Sequence, residues 1–163
     1  MLLTLCTGNA ARSVMAGVLL AHAPLPIVTA GTHVVEGQPI SRRTRAALGA
    51  LGLDAGLHRS HQVSDEDLAT ATLILAMATE HVAYIRRRHP EVASRAVTLK
   101  RLCRDLPAGP PDLAARLAAM DLADVDLEEW EDVADPAGGE DEVYLACAYE
   151  LAGLCDELLP RLS

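Results

Sequence analysis

The sequence contains no phenylalanine, one tryptophan and three tyrosines. Its core must therefore be aliphatic, built from the abundant Leu, Ala and Val. It also lacks a basic excess. The formal net charge is −9, which argues against a nucleic-acid partner, since that needs a basic face, and against an anionic membrane surface. A small anionic substrate stays possible, because a site can be locally positive inside an acidic protein. No apolar run is long enough to span a bilayer. The apolar opening Met1-Leu2-Leu3-Thr4-Leu5 lacks the basic n-region of a secretion signal and is soon interrupted by Asn9 and Arg12. Cys6, Cys103, Cys147 and Cys155 show no paired metal-ligand spacing, so no metal is expected. They read as cytoplasmic thiols rather than a disulfide framework. Internal repeats and low-complexity linkers are missing as well.

What is present fits one soluble domain over residues 1–163, half of it hydrophobic and 23% charged. Short apolar runs at Leu2–Leu5, Ile27–Ala30, Leu73–Met77 and Ala96–Leu99 read as buried strands. Between them, Ser13–His22, Ser41–Leu51, Ser64–Ala69 and Thr79–His89 read as helices, the first ended by Pro24 and Pro26 and the last by Pro90. Asp112–Met120 and a long Glu140–Leu159 segment are also helical in pattern. Continuous apolar strands alternating with helices predict an α/β fold with a parallel sheet covered on both faces. Ligands in such sheets bind outside the carboxyl ends of the strands, which is where Cys6 falls.

The stretch Cys6-Thr7-Gly8-Asn9-Ala10-Ala11-Arg12-Ser13 joins the first strand to the first helix. Gly8 and the small Ala10 and Ala11 let the backbone curl with its N–H groups inward. The helix N-terminus adds partial positive charge, and Arg12 adds a guanidinium that grips two oxygens of a phosphate-like ion. The same field favours a Cys6 thiolate, placed to attack the held phosphorus and form a phosphocysteine that water later hydrolyses. Isolated cysteines are more often structural. A strand, then Cys-x5-Arg-Ser, then a helix within the first 15 residues favours the phosphate site.

These eight residues resemble the Cys-x-Gly-Asn-x-x-Arg-Ser signature of the low-molecular-weight protein tyrosine phosphatases. The likeness continues through Ala30-Gly31-Thr32, His58-Arg59-Ser60-His61-Gln62 (against the family's His-(Lys/Arg)-x-Arg-Gln), Leu75-Ala76-Met77, Asp135-Pro136 and Asp141-Glu142-Val143-Tyr144. It implies a three-layer α-β-α fold on a four-stranded parallel sheet, and no cofactor. It implies Cys6 as nucleophile and Arg12 as phosphate ligand. Asp135 would be the general acid, then the general base. Thr7, Gly8, Asn9, Ala10, Ala11 and Ser13 would surround the substrate phosphate, with Asn9, Ser13, Ser41 and His58 in the polar network that holds the loop. Ser13 would also donate to the sulfur. The implied partners are a phosphorylated protein, phosphotyrosine above all, or a small phosphomonoester, with phosphate-like anions as inhibitors.

The sequence departs from the family at several points. Ala11 stands where many members have a second, protective cysteine. Val14 replaces the usual proline, and Gly17 replaces a frequent glutamate. The aromatic walls of the phenol slot are absent: Val35 and Ala137 take those positions, leaving Trp130 as either a replacement wall or an anchor of its loop to the core. Arg42, Arg43 and Arg45 are either an attractor for an acidic phosphopeptide or a solvated helix face; Arg86–Arg88 is read as a helix end favoured by the dipole. Two other functions fit the same scaffold. One is an arsenate reductase using an external thiol, since the thioredoxin-linked kind needs two cysteines after the third strand and Ala78-Thr79-Glu80 supplies none. The other is a catalytically weak phosphoprotein-binding module.

Overall fold

The computed structural model describes all residues 1–163. Strand β1 (Leu2–Cys6) leads through a tight loop into α1 (Arg12–Leu19), β2 (Ile27–Gly31) and α2 (Arg42–Ala50). Helix α3 (Asp65–Thr70), β3 (Leu73–Ala76), α4 (Thr79–Arg88) and β4 (Ala96–Thr98) complete the sheet. Helices α5 (Leu99–Asp105), α6 (Leu113–Ala118) and α7 (Asp141–Leu158) follow.

All pairings are parallel, in the order β2-β1-β3-β4. Successive side chains of a strand point to opposite faces. Leu2, Leu73 and Leu75 therefore join one apolar cluster with α1, α2 and α5–α7, while Leu3, Leu5 and Ile74 join another with Leu68 of α3 and Ile85 of α4. The result is the expected three-layer α-β-α arrangement. The largest fully buried side chains are all Leu, Ile or Met, as the lack of aromatics requires. β1 lies between β2 and β3, so the chain steps from β1 to one side of the sheet and then crosses to the other. Its carboxyl end is thus a topological switch point, where an open α/β sheet leaves a crevice.

Two elements differ from the sequence reading. Helix α1 stops at Leu19, well before the prolines, because Ala21 and Ala23 turn back onto the carbonyls of Val18 and Leu20. Leu99, expected at the end of a strand, is the first residue of α5, whose start is fixed by the Thr98 hydroxyl accepting from the Arg101 amide.

Candidate active site

Residues 7–11 form the loop between β1 and α1, and one buried residue organises it. Asn9 has φ of 50°, in the left-handed region, which asparagine tolerates better than most residues. The sequence reading lays the tight curl on Gly8, but Gly8 does not adopt positive φ. It lines the pocket, and a Cβ there would meet open space.

Five hydrogen bonds pin Asn9. Its amide nitrogen donates to Ser13 Oγ (2.9 Å) and Thr29 Oγ1 (3.0 Å), and its Oδ1 accepts from the His61 amide (2.9 Å). Its carbonyl accepts from His58 Nε2 (2.9 Å) and Ser60 Oγ (3.1 Å). With the loop so held, the amides of Thr7 to Arg12 find no backbone acceptor within the protein. Consecutive free N–H groups at a helix start are an anion-binding nest.

A pocket of about 270 Å³ opens here, lined among others by Cys6, Thr7, Gly8, Ala10, Ala11, Arg12 and Asp135. Cys6 Sγ lies 2.9 Å from Ser13 Oγ. Since Ser13 Oγ already accepts from Asn9, its own proton is free for the sulfur. Arg12 is buried; its Nη1 donates to the Val133 carbonyl (3.0 Å) and its Nη2 sits 3.3 Å from Asp135 Oδ2. Asp135 is half exposed and caps its own turn by accepting from the Ala137 amide (3.0 Å). The Cys6 thiol, the Arg12 guanidinium and the Asp135 carboxylate thus share one pocket.

Several expected positions are revised. Asn9 and Ser13 are fully buried and do not line the pocket, so their side chains shape the loop rather than touch a substrate. Ser41 caps α2 and lines the pocket, but it reaches the loop only through Thr44, whose hydroxyl donates to the Ala10 carbonyl (3.0 Å). Val35 is 72% exposed and outside the lining. Trp130 is not a slot wall either. It stacks on the guanidiniums of Arg104 (4.0 Å) and Arg101 (5.3 Å) and donates to Glu128. Ala137 does line the pocket. Arg42 and Arg43 pair with Asp141 and Glu140, and Arg45 with Asp54, so they present no free basic patch. A side chain at Gly17 would lie 2.5 Å from Thr29 Cγ2; the close α1–β2 contact excludes a glutamate there.

Sequence reasoning missed Thr44, Tyr144 and His81. Tyr144 is the only aromatic residue of the pocket lining. His81 is buried; its Nδ1 accepts from the Ala78 amide (3.1 Å), so its Nε2 carries the proton given to Thr7 Oγ1 (2.9 Å). Burial, then the charge of Arg12, pushes its pKa down to about 3 and keeps the ring neutral. Burial also raises Cys103 and Cys147 to about 11 and Cys155 to about 12, leaving them as inert thiols. No cluster of three or more His, Cys, Asp or Glu side chains is arranged to hold a metal ion. No helix is long and apolar enough to cross a membrane.

Comparison with known proteins agrees with this geometry. The family profile described as "Low molecular weight phosphotyrosine protein phosphatase" matches residues 1–109. A protein-arginine-phosphatase of Geobacillus stearothermophilus is 34% identical over 99% of this chain and 95% of its own. The solved structure of the YwlE arginine phosphatase from that organism superposes with a TM-score of 0.78, covering 99% of this chain and 91% of that one. A low molecular weight protein tyrosine phosphatase from T. tengcongensis is 30% identical with a TM-score of 0.78, covering 99% and 98%.

Proposed function

Because the chain belongs to the low-molecular-weight phosphotyrosine protein phosphatase family, whose members are cysteine-dependent phosphatases, we propose that it dephosphorylates proteins through a phosphocysteine on Cys6. The observation that carries this is the shared pocket of Cys6, Arg12 and Asp135 beneath free amides. The phosphoryl group sits in the amide nest and on Arg12. The Cys6 thiolate attacks phosphorus; the S–P bond forms as the bond to the leaving atom breaks, and Asp135 gives that atom its proton. Asp135 then takes a proton from water, whose oxygen displaces the sulfur and releases inorganic phosphate. The Ser13 hydroxyl stabilises the thiolate at both ends of the cycle. Residues 1–163 act as one catalytic domain, and the unpaired thiols suit a reducing, cytoplasmic compartment.

For the substrate side chain we put phosphoarginine ahead of phosphotyrosine. Tyr144 is the one ring at the pocket, so a phenol has no pair of aromatic walls to enter. The half-exposed Asp135 carboxylate offers a partner for a guanidinium, and the relative matched along almost its whole length is named an arginine phosphatase. The test compares release of phosphate from phosphoarginine, phosphotyrosine and an aryl phosphate by the wild type and by Cys6→Ser, Arg12→Ala and Asp135→Ala. The first two variants should be inactive, and the third slowed about 10²- to 10⁴-fold, as for loss of a general acid. Phosphotyrosine turned over faster than phosphoarginine would reverse the substrate order. An active Cys6→Ser would end the phosphocysteine mechanism.

A further inference from the structure

His61 stands between two carboxylates from different parts of the chain. Its Nε2 lies 2.8 Å from Asp67 Oδ2 at the start of α3, and its Nδ1 lies 3.2 Å from Glu36 Oε1 in the loop after β2. A carboxylate can only accept. A neutral imidazole has one N–H, so one of these contacts would set a lone pair against a carboxylate oxygen; both are favourable only when both nitrogens are protonated. The arrangement is therefore built for imidazolium. Glu36 and Asp67 are the charged groups in contact with the ring. Burial disfavours the charge, but the bonds to Asp67 and then Glu36 outweigh it and raise the pKa above its ordinary value.

The same residue touches the phosphate nest. The His61 amide holds Asn9 Oδ1, and its neighbour Gln62 bonds the Thr32 carbonyl, the Val34 amide and, through its own amide, Glu36 Oε2. We propose that His61 is a protonation-dependent positioning residue: as imidazolium it straps the loop after β2 and the start of α3 against Asn9, and as neutral imidazole it releases Glu36 and slackens the nest. Glu36 is the side released, because its contact is the longer one and it is the more exposed partner. In the stretch that this segment resembles the position is arginine, a permanent cation. Here the strap can be switched by pH.

The strap acts on the proposed phosphate site but can be tested without turnover. The His61 ring is titrated by NMR in the wild type and Glu36→Gln. Inorganic phosphate affinity is measured by calorimetry from pH 5 to 9 for the wild type, His61→Arg, His61→Gln and Glu36→Gln. Ionisation of phosphate itself is common to all and cancels in ratios. Relative to His61→Arg, the wild-type Kd should rise about two- to fivefold as His61 loses its proton, the range of a part-exposed ion pair. His61→Gln should show the weaker affinity at every pH, and Glu36→Gln should lower the His61 pKa and flatten the ratio. A His61 pKa at or below about 6.5, or a ratio independent of pH, would overturn the proposal. Should His61→Arg fail to fold, the Glu36→Gln comparison decides alone. A wild type that binds phosphate but turns over no phosphorylated substrate defeats the proposed function and leaves this test intact.

Discussion

Replacing Gly31 by alanine should disable the site without touching a reacting group. Gly31 ends β2 beside the loop, where the Thr32 amide donates to the Cys6 carbonyl (2.9 Å) and the His33 amide to the Thr7 carbonyl (3.0 Å). A Cβ on Gly31 would lie 2.4 Å from the Thr7 carbonyl oxygen, 2.5 Å from Val34 Cγ2 and 2.9 Å from the Asn9 nitrogen. Val34 can rotate away, but the other two atoms are loop backbone. The Thr7 oxygen must retreat by about 1 Å and the Asn9 nitrogen by less, and a 1 Å displacement can cost about 100-fold in rate when it misplaces reacting groups. Overpacking of this kind costs about 1–3 kcal/mol, which for a chain of this size lowers Tm by about 2–12 °C.

The assay pairs kcat on an aryl phosphate with a thermal melt. Gly153→Ala is the control: Gly153 lies in α7, where an added methyl would meet nothing within 4 Å, so the variant should gain about 0.4–1 kcal/mol and keep full activity. If Gly31→Ala retains wild-type kcat and Tm, the loop is not held where its contacts indicate, and the argument from Asn9 falls with it.

Three other outcomes follow from the same contacts. Glu131 is fully buried against Arg101 Nε (2.8 Å) and Thr98 Oγ1 (2.8 Å). Burial raises its pKa, but the bonds from Arg101, the Glu128 amide and Thr98 outweigh burial and hold it below the ordinary value. Its stabilising contribution is thus complete above about pH 4.3 and lost as pH falls through the lowered value. Glu131→Gln should melt lower at pH 7 and lose the steepest part of the acid destabilisation; equal acid profiles would refute this. Thr44→Val removes the bond to the Ala10 carbonyl, with an expected cost of about 1 kcal/mol in stability and a reduced kcat, both read against Thr44→Ser. Iodoacetamide at pH 7 should modify Cys6 alone and be blocked by phosphate, since only Cys6 lines the pocket and burial raises the other three thiols; mass spectrometry finding early label on Cys147 would contradict it.

The sequence carried the parts of the site that are local in the chain. Cys6 to Ser13 span one strand end, one loop and one helix start, so spacing alone assembled them. Long-range partners had no such signal. Thr44 reaches Ala10 across 34 positions, and His81 reaches Thr7 across 74; nothing in either residue's own neighbourhood marks it. Trp130 misled because it is the only tryptophan in a chain without aromatic slot walls. Its environment, two guanidiniums stacked on the ring, is supplied by α5, a helix of which the sequence reading assigns only Leu99, as a strand end. Missing one helix thus removed the evidence that would have placed the tryptophan.

The position of Asp135 shows how a carboxylate 129 residues from Cys6 comes to share its pocket. The segment before it is bound to the carboxyl edge of the sheet, not to the loop it serves. The Val133 amide donates to the Met77 carbonyl just past β3 (2.8 Å), and Asp132 accepts from the Thr79 amide at the start of α4 (2.7 Å). Lys100 holds the Asp132 carbonyl (2.8 Å), and Arg101 anchors Glu131 behind it. β3 is the neighbour of β1, so this edge has a fixed register with Cys6. Arg12 closes the gap by bonding both the Val133 carbonyl and Asp135. A carboxylate on a half-exposed loop is thereby positioned by the rigid sheet, at the rim of the pocket that holds Cys6.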